Sequence, residues 1–443
     1  MNDDSSIPLS NIVKYHGNEG TRLIRHKINA FEKQDYVALS YTWDNSDHEN
    51  PEKGKYKVQT RDQHPRFLPS PVRDCVFDRV FLFMRAKGLH RLWIDRHCVR
   101  QRTCKTKGIC PHNRCKEKQR AIETMDLVYS LSKRSVALLG RPIEWEHELD
   151  LLFRILTGKL VEELKKTKHD EILQALSLLS RITKDRWWTR AWTFQEDYRG
   201  RPDMTLLIRH PQFLEAKKQD YRIFANVPNE LCINAVCFSK ASTEFCRAVQ
   251  DESTQRDDVS HHTKHILGVA GKYTLLLDRT MPMTPKVIAD IQRRRLRDAW
   301  DKLAIIANCC QYDIRMDHKH MKEPKSLSIS ILAMCILNGE ILLNESREDR
   351  SSMLEKTMSQ FLEEQAFKGF CAPGSQRNLT FNKGCRFVGV EITPIGIKTK
   401  VIFGNWVESL IPQDFVFHCP RRRKGLVLLP RTNNGALLTL LLN

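Results

Sequence analysis

A chain of 443 residues exceeds what one ordinary hydrophobic core supports and points to two or three domains. Its 41% hydrophobic and 28% charged content is that of a soluble globular protein, excluding fibrous and low-complexity classes. The net charge of +19 would suit nucleic acid, anionic lipid or a phosphorylated ligand, but the basic residues are dispersed. Only Arg293–Arg295 and Arg421–Lys424 cluster, and no zinc-finger or ribonucleoprotein signature accompanies them. A solvated, ligand-attracting surface is expected, with nucleic-acid binding as the lesser alternative. The most apolar run, Ser328 to Leu343, is broken by Asn338, Gly339 and Glu340 and reads as a buried helix rather than a membrane span. The polar, acidic start, Met1-Asn2-Asp3-Asp4, argues against a secretory or mitochondrial signal, so a cytoplasmic or, alternatively, nuclear location is expected. The 14 cysteines suit that compartment if reduced, since several (Cys237, Cys246, Cys309, Cys310, Cys335) sit in apolar patterns.

In chain order, residues 1–35 read as a polar leader packed on the first domain. Tyr36 to Trp43 is rich in β-formers and ends in the turn-like Asp44 to Gly54. Val72 to Lys87 carries Val76, Phe77, Val80, Phe81 and Met84 at helical spacing, with Gly88 as its stop. Arg91 to Asp95 is a short buried strand, followed by a basic loop bearing cysteines. A helix is predicted over Glu117–Ser130, with Ile122, Met125 and Tyr129 on one face, then a strand over Ser135–Gly140. This alternation of strand and helix is the pattern of an α/β domain with a parallel sheet, whose ligands sit beyond the carboxyl ends of the strands. Those ends carry Ser40 to Asp44, Asp95 to Gln101 and Gly140 to Trp145. Two amphipathic helices (Glu148 to Lys165 and Glu171 to Ile182) lead to the densest chemistry in the chain, Arg186-Trp187-Trp188-Thr189-Arg190-Ala191-Trp192-Thr193-Phe194-Gln195-Glu196. Beyond residue 200 a mostly helical second region (201–443) is expected, with helices at Ala299–Cys310 and Leu327–Leu343. Near its end, Cys385–Ile392 and Ile397–Phe403 flank Thr393-Pro394-Ile395-Gly396 and form a β-hairpin within 385–407.

Three ordered blocks, Tyr36–Trp43, Leu92–Gln101 and Arg190–Glu196, resemble the signature blocks of the fungal heterokaryon incompatibility (HET) domain, with Gln119–Tyr129 and Val136–Gly140 similar to its linking helix and strand. The resemblance covers about residues 36–200. Two features depart from it: Trp43 is followed by Asp44 where the family often has glycine, and Arg102–Lys116 looks like an insertion. The resemblance implies a cell-death module of non-self recognition, acting through protein partners or self-association. It also implies a fold related to Toll/interleukin-1 receptor (TIR) domains, some of which cleave NAD. Trp192-Thr193-Phe194-Gln195-Glu196 is similar to the block that carries their catalytic glutamate, and Glu196 is the matching position.

The chemistry is compatible with that implication. Nicotinamide already carries positive charge as a leaving group, so one carboxylate can stabilise the oxocarbenium-like transition state without a paired acid. Arg186 and Arg190 suit a pyrophosphate, and Ser40 and Tyr41 at a strand end suit ribose or phosphate. Asp95 either binds a ribose hydroxyl or caps the next turn. Trp43 and Trp192 complete the candidate NAD-binding set, with NAD as substrate and no bound cofactor expected. The alternative is an interaction module in which Glu196 pairs with Arg190 and the tryptophans only fill core. His97, Cys98, Cys104, Cys110, His112 and Cys115 are zinc-type residues, but their C-x5-C-x5-C-x4-C spacing lacks the C-x2-C pair of structural zinc sites. A basic surface insertion without metal is the expectation there. Phosphate-binding glycine loops, H-E-x-x-H and nucleophile elbows do not occur.

Overall fold

A computed structural model describes residues 8–17, 20–61, 63–101, 104, 112–200, 204–252, 257–271, 283–316, 327–340, 388–393, 396–401 and 436–441. The chain divides into two compact units, Met1–Arg279 with Arg293–Ala299, and Thr280–Gln292 with Trp300–Asn443.

The first unit is built on nine strands: β1 (Pro8–Gly17), β2 (Gly20–Asn29), β3 (Tyr36–Ser40), β4 (Lys57–Gln59), β5 (Phe67–Pro69), β6 (Arg91–Ile94), β7 (Arg134–Leu138), β8 (Thr205–Arg209) and β9 (Glu230–Asn234). They form one mixed sheet in the order β5-β4-β2-β1-β6-β3-β7-β8-β9. Its centre, β6-β3-β7-β8, is parallel throughout. Every residue of β3 is buried, as both faces of a central parallel strand must be. From β3 the chain steps outward to β6, then crosses back to β7 on the other side of β3. That reversal is a topological switch point, where strand-end crevices open in α/β sheets.

The helices between these strands follow the apolar periodicity. α1 (Asp74–Ala86) buries Val76, Phe77, Val80, Phe81, Phe83 and Met84. It stops where Gly88 turns left-handed at φ +63°, letting Leu89 N–H reach the Met84 carbonyl at 2.9 Å. A short helical turn, α2 (Asp95–Cys98), follows β6 directly. The helix expected over Glu117–Ser130 is two, α3 (Asn113–Glu123) and α4 (Met125–Leu131). They part at Thr124, whose hydroxyl donates back to the Arg120 carbonyl at 2.8 Å. α3 is highly charged and buries nothing, whereas α4 buries Met125, Val128 and Tyr129. The helix expected from Glu148 to Lys165 is likewise interrupted: α5 (Glu146–Leu156) gives way to the short α6 (Lys159–Glu162) at Gly158, where φ is +77°. α7 (His169–Thr183) matches its prediction closely.

Two expectations about the first unit's extent change. Residues 8–29, expected within a polar leader packed on the first domain, are strands of its sheet: β1 and β2 pair antiparallel along their whole length, and β1 joins β6 through Ile12↔Leu92. Beyond α8 (Ala191–Arg199) the sheet continues, β8 running parallel to β7 and β9 antiparallel to β8, before α10 (Ala235–Glu252) and α11 (Asp257–Ala270). α9 (Glu215–Asp220) lies between these last strands. Their short apolar runs carry no period that separates strand from buried helix, so pairing with β7 decides them. A buried ion pair ties α1 to this extension: Arg79 Nε lies 2.5 Å from Glu230 Oε1, and its other nitrogens donate to the carbonyls of Leu139 (2.8 Å) and Leu207 (2.9 Å).

The second unit contains α12 (Met283–Gln292), α13 (Asp301–Cys310), where the sequence places it, and α14 (Leu327–Leu337), which starts as expected but ends at a turn over Asn338 and Gly339 (φ +83°) rather than running to Leu343; residues 341–343 lie outside the described residues. The predicted hairpin is present as β10 (Val388–Thr393) and β11 (Gly396–Val401), closing at Thr393↔Gly396. Residues 385–387 and 402–407 lie outside the described residues. A third strand, β12 (Ala436–Leu441), pairs antiparallel with β11. No described helix is long and apolar enough to cross a membrane.

Candidate functional site

The carboxyl end of β3 is where the distant sequence blocks meet. Asp185 begins the tryptophan corner by accepting three backbone N–H groups: Gly140 and Arg141 on one oxygen, both at 2.8 Å, and Trp187 on the other at 2.9 Å. This carboxylate fastens the chain after β7 to the turn Arg186–Thr189. Gly140 fits there because it has no side chain: a Cβ would fall 2.4 Å from Ser46 Oγ. Trp187 and Trp188 pack edge to face, 4.8 Å apart, and Trp188 stacks on Phe238 of α10. Thr193 in the first turn of α8 donates back to the Arg190 carbonyl at 3.0 Å and to that of Trp187, fixing the angle at which α8 leaves the corner.

α8 then aims Glu196 at Ser40, the last residue of β3. Ser40 Oγ donates to Glu196 Oε2 and accepts from Trp187 Nε1 at 2.7 Å. Tyr129 of α4 also hydrogen-bonds Glu196, and its hydroxyl lies 3.0 Å from the Leu39 carbonyl. Glu196 is only 6% exposed. Burial pushes its carboxyl up to about 8, the negative charge of Asp95 adds to the rise, and Ser40, Arg190 and Tyr129 oppose it. Asp95, at the end of β6, is pushed up to about 6 by burial, against the Trp43 indole N–H (2.7 Å), the Arg96 amide (2.5 Å) and the charges of Arg190 and Arg96. Two electrostatically linked carboxyl groups thus stand at the ends of adjacent parallel strands. Arg190, a nearby charge acting on both, has a buried Nη1 with no hydrogen-bond partner among the described residues. The Tyr41 hydroxyl is buried and its acidity suppressed by the same burial and by both carboxylates.

The family comparison follows this geometry closely: residues 36–196 match the model of the family described as Heterokaryon incompatibility protein (HET). Residues 36–196 are a HET domain. No curated protein and no solved structure matches the chain.

Of the predicted site residues, the HET domain brings together Ser40, Tyr41, Trp43, Asp95, Arg190 and Glu196. Glu196 sits in the second turn of α8, four residues after Trp192, so the two share a helix face. Trp192 is half-buried and packs against the core. Arg186 stands apart: its side chain is 52% exposed and its Nη1 donates to the Asn45 carbonyl at 2.5 Å. Asp44, in place of the family's usual glycine, needs no special backbone, because it is not among the residues with positive φ. Ser40 supports Glu196 directly, so its hydroxyl is engaged before any ligand arrives. Three contributors escaped sequence reasoning. Tyr129 lay on an apolar helix face with nothing to distinguish its hydroxyl, Trp187 read only as scaffold, and Arg96, whose guanidinium lies 4.6 Å from the exposed Trp43 ring, sat inside a block without a role.

The cysteine-bearing loop separates into two groups. His97 is buried, its Nε2 2.8 Å from Ser70 Oγ and its ring stacked on Phe77. The buried Cys98 accepts the Ile94 amide at 3.4 Å, and burial pushes its thiol up to about 12. Both belong to the core. Cys104, His112 and Cys115 come together instead, their ligand atoms within 4.8 Å of one another. Cys110 lies outside the described residues. A surface cavity of about 710 Å³, lined among others by His147, Asp150, Arg154, Glu171 and Tyr221, shares no residue with the Glu196 cluster.

Proposed function

We propose that this HET domain binds NAD at the carboxyl ends of β3 and β6 and hydrolyses its nicotinamide–ribose bond, as an executing step of incompatibility-type cell death in the cytoplasm. The observation that carries this reading is the state of Glu196, a buried carboxyl raised to about 8, hydrogen-bonded by Ser40 and Tyr129, and flanked by Asp95 and Arg190. With its carboxyl raised to about 8, Glu196 is largely neutral at pH 7. The cationic nicotinamide ring favours its ionised form, and so does the positive charge that moves onto the ribose as the bond breaks. The C1′–N1 electron pair leaves with nicotinamide, water supplies its oxygen to C1′, and the water's proton passes to Glu196 or solvent. Asp95 then serves the ribose hydroxyls, and the buried Arg190 Nη1 a pyrophosphate oxygen. Trp43, 37% exposed, offers a flat ring at the rim.

A second reading, a non-enzymatic module acting through protein partners or self-association, is favoured by one observation. Glu196 is 6% exposed and its direct partners are internal. One experiment separates the two: incubate the purified chain with NAD, dilute and concentrated, and follow nicotinamide by chromatography. Release that is lost in Glu196→Gln supports the hydrolase. Release unchanged in that variant sinks the role of Glu196, and no release in any assembly state favours the interaction module.

A further inference from the structure

Cys104, His112 and Cys115 belong to no part of the Glu196 site, yet the fold converges them. His112 and Cys115 are three residues apart at the start of α3, where Cys115 N–H donates to the His112 carbonyl at 3.0 Å, so the helix itself sets their spacing. Cys104 is brought to them from the preceding loop, its Sγ 3.4 Å from that of Cys115. Neither thiol is in a disulfide. In a tetrahedral zinc site, Zn–S near ~2.3 Å and Zn–N near ~2.0 Å put neighbouring ligand atoms roughly 3.5–3.8 Å apart. The three ligand atoms here, all within 4.8 Å, need only small side-chain adjustments to meet that geometry.

From this geometry we propose that Cys104, His112 and Cys115 form a zinc site, with a fourth position open to water or another donor. The donor set selects the metal. Two thiolates and an imidazole are soft and borderline ligands, which exclude calcium and magnesium and suit zinc. The surrounding insertion is basic, with Arg102, Lys105, Lys107, Arg114, Lys116 and Lys118, so a bare dication is repelled unless thiolates neutralise it. The sequence hides the site because its paired element is H-x2-C rather than C-x2-C, with Cys104 set eight residues before His112. The site's role is structural. α3 buries no residue of its own, and Arg100 already pairs with Glu117, so a metal clip between Cys104 and the helix start would hold the insertion against the segment after β6. Gln101, three residues before Cys104, donates to the Asp95 carbonyl at 3.0 Å.

The test uses the full chain, purified in reductant, stripped with a chelator and titrated with Co²⁺ as a spectroscopic probe for zinc. One equivalent should develop thiolate-to-cobalt charge transfer and the visible bands of a tetrahedral ion, and zinc should displace it. Cys104→Ser and Cys115→Ser should each abolish the thiolate bands, and His112→Ala should weaken cobalt binding by at least about tenfold. Since α3 is exposed, circular dichroism should be the same in all variants; should Cys115→Ser fold poorly, His112→Ala and Cys104→Ser carry the test. Bands that persist in both cysteine variants, or no bands at all, overturn the proposal. So does recovery of a Cys104–Cys115 disulfide with no zinc from protein purified without reductant.

Discussion

Replacing Glu196 with glutamine removes a titration that costs the folded protein stability. The folded carboxyl keeps its proton up to about 8, while the unfolded chain releases it near 4.5. The folded state therefore binds more protons between these values, and stability present below about pH 4.5 is lost as pH rises through about 8. At ~1.4 kcal/mol for each factor of ten, the full loss is about 5 kcal/mol, of which about 4 kcal/mol falls between pH 5 and 9. Glutamine mimics the neutral acid at every pH, so Glu196→Gln should gain about that much on wild type across the same range. Urea unfolding followed by tryptophan fluorescence, at steps from pH 5 to 9, reads the difference as a relative shift of the midpoint on the order of 1 M. Trp187 and Trp188, buried beside the site, report its unfolding. Parallel pH profiles for the two proteins, to within about 1 kcal/mol, would refute the reasoning. They would mean that the carboxyl is solvated, or ionised and paired, in the folded state.

Two further outcomes follow from the same hydrogen bonds. Ser40→Ala removes a donor to the ionised Glu196, so the alkaline-going rise in kcat/KM for NAD should move to higher pH, and an unmoved limb contradicts the assignment. The same change strands the Trp187 indole N–H and should cost about 1–3 kcal/mol in urea unfolding. Asp185→Ala leaves three backbone donors without their acceptor and should destabilise the first unit by about 3 kcal/mol or more, whereas a loss under about 1 kcal/mol would show that water replaces the carboxylate.

Much of the central sheet was legible in the sequence. Tyr36–Ser40, Arg91–Ile94 and Arg134–Leu138 are short apolar runs bounded by turn residues, and the helix between the first two carries its apolar stripe and its terminating Gly88. β1 was not legible because its residues, Ser10-Asn11-Ile12-Val13-Lys14, do not alternate cleanly and owe their strand state to pairing with β2 and β6. β8 and β9 were hidden for the opposite reason, being continuous apolar runs that fit a buried helix equally well.

The candidate site was half legible. Single positions such as Glu196, Asp95 and Ser40 stood out because polar groups at strand ends and beside tryptophans are costly to place idly. Their relations were not readable: the Ser40–Glu196 hydrogen bond spans 156 residues, and Tyr129 enters from a helix read as core. Arg186 illustrates the converse. Its place in the densest block suggested a ligand contact, yet its guanidinium is already held by the Asn45 carbonyl, with Asp47 4.0 Å away.

The most direct measurement of the central claim is nicotinamide release from NAD by the purified chain, set beside the Glu196→Gln variant at matched concentration. The account predicts release by wild type that rises as pH approaches about 8, and a loss of at least about a hundredfold in the variant. Equal release by the two proteins, or none from the wild type in any assembly state, contradicts it.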